Sequence, residues 1–121
     1  MTAIVVSLHA ETRQKRYRLL EQAGYKVFTA DSFKQGTELL TQIHPDLLVA
    51  DVRLLDYNGL QLAMRAHEES PRTRTVIVGE PDVVLERDAK AFGAWYVTSA
   101  DLPGFVAATR DGRDPRSMRG R

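Results

Sequence analysis

The chain has 121 residues, 43% of them hydrophobic and 27% charged, enough for one domain to bury a core without metals or disulfides. A formal charge of +1 and no cysteine exclude a strong pull toward nucleic acid or membrane, and also thiolate metal sites, disulfide frameworks and cysteine nucleophiles. No apolar stretch nears the roughly 18 residues of a membrane span, and no signal-peptide pattern opens the chain, so a cytoplasmic protein is expected.

Taken in order, "AIVVS" is a short, β-branched run suited to a strand buried on both faces. "ETRQKRYRLLEQAGY" follows as a helix, with Gly24 where a C-terminal cap would sit. The alternation repeats: "KVFTA" then "DSFKQGTELLTQI" with Asp31 or Ser32 as N-cap, "LLVAD" then "GLQLAMRAHEE", "TVIVG" then "DVVLERDAKAFG", "AWYVT" then "LPGFVAAT". Right-handed crossovers between parallel strands put helices on both faces, so a doubly wound α/β fold is expected. From residue 110 onward the composition changes: "RDGRDPRSMRGR" has five Arg and almost nothing apolar. Residues 1–110 are therefore read as the domain and 111–121 as a basic flexible tail or linker to an effector module.

In such sheets ligands and chemistry gather beyond the carboxyl ends of the strands. The third run, in "LLVADVRLLDYNGL", ends there on Asp51, with Asp56, Asn58 and Gly59 close behind. "GYKVFTADS", "HPDLLVADVRLLDYNGLQL" and "AKAFGAWYV", in this order and near this spacing, resemble the receiver domain of two-component response regulators over roughly residues 3 to 110. The resemblance implies a flavodoxin-like five-stranded parallel sheet of order 2-1-3-4-5. It also implies a signalling module, not an enzyme. Asp51 matches the phosphoacceptor, Arg53 the residue whose backbone carbonyl helps hold Mg2+, and Gly59 the glycine opening the third helix.

Other family positions depart from the pattern. The acidic pair after the first strand falls on Ser7 and Leu8, and the nearest acid, Glu11, reads as a first-turn helix acid favoured by the dipole. The Ser or Thr after the fourth strand falls on Val78, Gly79 or Glu80, and the Lys after the fifth on Ser99 or Ala100. Leu55 replaces a Pro and Asn58 an acid. Phosphoryl transfer depends on a divalent cation and fixed charges around the phosphoryl oxygens. These replacements imply weak Mg2+ binding at best, with only Asp51 and the Arg53 carbonyl as ligands, and loss of phosphorylation. Asp51 then reads as a solvated or amide-capped strand end, and Asp51→Asn is expected to change stability by no more than roughly 0.5 kcal/mol.

The alternative is a functional phosphoacceptor receiver phosphorylated on Asp51 in a phosphorelay, its pocket completed by Glu11 or Glu80. A flavodoxin-like small-ligand binder is a third reading. "HPD" at His44 to Asp46 reads as a loop, His9, His44 and His67 lack metal-ligand spacing, and Gly79 alone makes no phosphate cradle. Arg13, Lys15, Arg16 and Arg18 give the first helix a basic, solvated face that can also dock a phosphotransfer partner. Expected partners are a histidine kinase, a phosphotransfer protein or an output module. A homodimer is expected through the fourth helix, fifth strand and fifth helix, using Trp95 or Tyr96. Isolated Arg residues in the tail argue against nucleic-acid binding.

Overall fold

The computed structural model describes residues 1–55 and 57–110; the expected tail, 111–121, lies outside them. In chain order the elements are β1 (Thr2–Val6), α1 (Ala10–Gln22), β2 (Lys26–Ala30), α2 (Phe33–Ile43), β3 (Leu47–Asp51), β4 (Arg53–Leu54), β5 (Tyr57–Asn58), α3 (Gly59–Glu69), β6 (Arg74–Val78), α4 (Val83–Ala91), β7 (Trp95–Val97) and α5 (Leu102–Arg110). Five strands form one parallel sheet in the order β2-β1-β3-β6-β7. Setting aside the small antiparallel pair β4 and β5, which the sequence reading missed, this is the expected 2-1-3-4-5 order.

The apolar runs are continuous because side chains alternate between two buried faces. Ile4, Val6, Leu48, Ala50 and Ile77 share a core with Leu40, Leu62, Ala66 and Ala89 from α2, α3 and α4. Ala3, Val5, Leu47, Val49, Val76 and Val78 pack instead with Leu20 of α1 and Phe105 and Val106 of α5. In β1 and β3 the odd-numbered residues thus face α1 and α5. Continuing that alternation carries Ser7 and Asp51 to the same side, under α1.

Local chemistry sets the helix ends. Ser32 accepts a hydrogen bond from Gln35 N, Asp82 from Leu85 N, and Asn58 forms a capping box with Gln61, each satisfying a donor the first turn leaves free. Gly24, at φ +97°, reverses the chain after α1 with Tyr25 N bonded to Leu20 O. The "HPD" segment is a loop: His44 caps α2 in the left-handed region, and the Asp46 carboxylate accepts Thr2 N at 2.8 Å.

Leu55 lies between Leu54 and Tyr57, which pair across the hairpin, at φ +58° and with 83% of its surface exposed. Tight hairpins favour positive φ at their first turn position, a region in which a Cβ is strained and which proline cannot enter. The Pro expected by family resemblance is therefore incompatible with this turn. Leu55→Gly should raise the unfolding free energy in urea by about 1 kcal/mol, and Leu55→Pro should lower it; the reverse ranking would contradict the turn.

Candidate functional site

One face of α1, the carboxyl ends of β3 and β6 and the segment after β7 surround a cavity of about 570 Å³ whose lining includes Arg16, Asp51, Arg53, Glu80, Tyr96 and Ser99. Asp51 is the last residue of β3, and both of its carboxylate oxygens are engaged. Ser7 Oγ donates to Oδ2 at 2.6 Å, and Arg16 Nη1 donates to Oδ1 at 2.5 Å. The two charged side chains are 18% and 8% exposed, so water screens their attraction only in part. Arg16 Nη2 also makes a longer, 3.4 Å contact with Ser99 Oγ. One turn earlier on α1, Arg13 Nη1 donates to the Ser7 carbonyl at 2.9 Å.

On the opposite side of the cavity, the Tyr96 hydroxyl donates to the Glu80 carbonyl at 2.5 Å. A Cβ on Gly79 would meet the Tyr96 hydroxyl and the Val52 side chain, so one of them would have to shift. Gly59 is required outright: its Cβ would overlap the Asp51 backbone carbonyl. That close approach lets Gly59 N donate to Val52 O at 2.8 Å and holds the α3 start against the end of β3. Burial raises the Tyr96 phenol pKa, with Asp82, Glu80 and Glu86 adding to the shift and Arg53 opposing it.

Comparisons with known proteins place this arrangement. The family model for the response regulator receiver domain matches residues 3–98. The chain belongs to that family. It is 28% identical over 92 residues to the C4-dicarboxylate transport transcriptional regulatory protein DctD of Pseudomonas aeruginosa, covering 75% of this chain and 20% of that protein. The chain thus spans about a fifth of the length of that curated relative. Among solved structures, a CheY-like receiver domain protein from Methanospirillum hungatei superposes with a TM-score of 0.82 at 21% identity, over 92% of this chain and 94% of that one. A LuxR-family response regulator from an Aurantimonas species gives 0.81 at 25% identity, over 93% and 86%.

Within this receiver, Asp51, Arg53, Gly79 and Ser99 all line the one cavity, and Ser7 reaches it through Asp51. Leu8 does not: it is partly buried and packs against the core of α2 and α3. Glu11 is exposed and outside the lining, whereas Glu80 lies in it. Sequence reasoning missed Arg16. Its basic cluster does not form one solvated face, because Arg16 is only 6% exposed and Arg13 turns toward the β1 end, leaving Lys15 and Arg18 outward. The signal was present: Arg16 precedes the buried Leu20 by four residues, on the helix stripe that faces the sheet.

A divalent cation does not fit the donors as they stand. Ser7 and Leu8 supply no second carboxylate, a guanidinium already sits on Asp51 Oδ1, and among the described residues no group of three His, Cys, Asp or Glu gathers that could hold a metal.

Asp51 is therefore not a free, hydrated strand end, and the expectation of a near-neutral Asp51→Asn fails because Arg16 would lose its counter-charge. Complete burial of the survivor would cost about 3–5 kcal/mol. With Asp51 part-exposed, urea denaturation should show a loss of about 2 kcal/mol, and a change below about 0.5 kcal/mol would count against the pairing. Alkaline titration offers a second check. A folded tyrosine pKa raised above the unfolded value contributes stability that is intact below about pH 10 and is lost as pH rises through the folded pKa. Burial raises Tyr25 in the same direction. Tyr96→Phe should therefore flatten the fall in stability above about pH 10, and an unchanged alkaline limb would contradict the assignment.

Proposed function

We propose that this chain is an atypical receiver that signals through its surfaces, with phosphorylation of Asp51 lost. The observation that carries the reading is the double engagement of Asp51. Attack on phosphorus draws on a carboxylate lone pair, and here a hydrogen bond from Ser7 to one oxygen and the Arg16 guanidinium on the other lower the nucleophilicity of both. The groups that would stabilise the transferred phosphoryl are missing as well. Gly79 offers no hydroxyl, and restoring one would displace Tyr96. Ser99 stands where the family resemblance places a Lys.

Residues 1–110 act on this reading as a signalling module and not an enzyme, in the cytoplasm, with 111–121 leading to an output module. Its partners are a histidine kinase, a phosphotransfer protein or that output module. No described helix is long and apolar enough to cross a membrane. The face built from α4, β7 and α5 serves for protein contact, including pairing with a second copy. There, Trp95 is half-buried against the edge of Phe105, whereas Tyr96 is 4% exposed and turned inward; of the two expected contact residues, Trp95 has the surface.

Incubation with a small-molecule phosphodonor and Mg2+, read by intact mass, should leave the chain unmodified. A phosphoryl adduct that disappears in Asp51→Asn would establish the phosphoacceptor reading instead.

A further inference from the structure

We infer that Arg16 is a built-in cation that takes over the position of the divalent ion, so that the Asp51 carboxylate is charge-balanced without any bound metal. The inference concerns the same site as the proposed function but does not depend on whether Asp51 is ever phosphorylated.

Three observations converge on it. The first is charge. With Ser7 in place of an acid, the ends of β1 and β3 carry one carboxylate, Asp51, and one guanidinium meets it directly. A pair of opposite single charges needs no divalent ion, whereas clustered carboxylates would repel one another without one. Second, Arg16 reaches across the sheet end: Nη1 meets Asp51 after β3 and Nη2 approaches Ser99 after β7. A single side chain from α1 thereby touches the carboxylate that would ligate a metal and the position where the family resemblance places a cation from the chain after β7. Third, the arrangement is braced. Arg13 holds the Ser7 carbonyl, and Ser7, fully buried, directs its hydroxyl to the second oxygen of Asp51.

A guanidinium stays protonated throughout the accessible pH range and cannot be removed by chelation or dilution, unlike an ion in exchange with solvent. Helix α1 is consequently tied to the ends of β1 and β3 by charges that do not exchange with solvent. Arg16 is a positioning residue here, acting through Asp51.

The test supplies the missing carboxylate and asks whether Arg16 blocks the ion. Ser7→Asp alone and Ser7→Asp with Arg16→Ala are titrated with MgCl2 by calorimetry, with Trp95 fluorescence as a parallel readout. With Arg16 present, its charge should keep Mg2+ binding at least about tenfold weaker than in the double variant. Equal affinities in the two proteins would overturn the inference. Should buried Ser7 not tolerate Asp, the unmodified chain is melted in MgCl2 and in EDTA, where it should melt at the same temperature; stabilisation by Mg2+ would overturn the inference. An intact-mass phosphoryl adduct would sink the proposed function while leaving this result standing.

Discussion

A carboxylate at the end of a central strand, shielded from most of its water, has to find a counter-charge or lose stability, and in this protein that requirement shapes the whole functional end of the sheet. β3 sits between β1 and β6, so its last side chain emerges among neighbours and not at an edge. The alternation of buried faces then fixes which layer Asp51 meets: the side that packs α1 and α5. Only groups from that layer or from the adjoining strand ends can answer its charge. Arg16 comes from the layer and Ser7 from the neighbouring strand end.

The pairing sits among residues that are each accounted for by their own local contacts. Once the guanidinium balances Asp51, no second acid is needed at Ser7, and Leu8 is free to join the apolar core. Gly79 gives its side-chain volume to the Tyr96 hydroxyl, which closes onto the Glu80 carbonyl. Asn58 exchanges a charged role for a capping box with Gln61 that starts α3, and Gly59 survives because the Asp51 carbonyl passes where a Cβ would be. At these positions the receiver backbone is held by packing and local hydrogen bonds.

Much of this was legible before the structure. The strands and helices follow from runs of Val, Ile and Leu buried on two faces and from helices that end at Gly24 or start at Ser32, since these signals are local and repeat along the chain. Asp51 was legible as the residue around which the strand-end contacts gather because a carboxylate ending a buried run is costly and therefore informative. Arg16 was not found, because the outward Lys15 and Arg18 masked the two inward-turned arginines, and a composition-based view of the helix averages over the face that matters. The hairpin at Leu54 and Tyr57 escaped for a related reason: two-residue strands carry no periodicity, and Leu55 gives no sign in its side chain that its backbone is left-handed. Long-range partnership, such as the 35-residue separation between Arg16 and Asp51, is set by the topology and enters the sequence only once the sheet order and strand parity are known.

The central claim is that the Arg16 guanidinium is held, desolvated, on Asp51 in the folded chain. Nitrogen-15 NMR of the arginine side chains addresses it directly, because hydrogen exchange of a guanidinium N–H slows when the group is buried and hydrogen-bonded. The account predicts that Arg16 N–H groups exchange far more slowly than those of the exposed Arg18 and that this protection vanishes in Asp51→Asn. Exchange of Arg16 at the rate of Arg18 in the unmodified protein would contradict it.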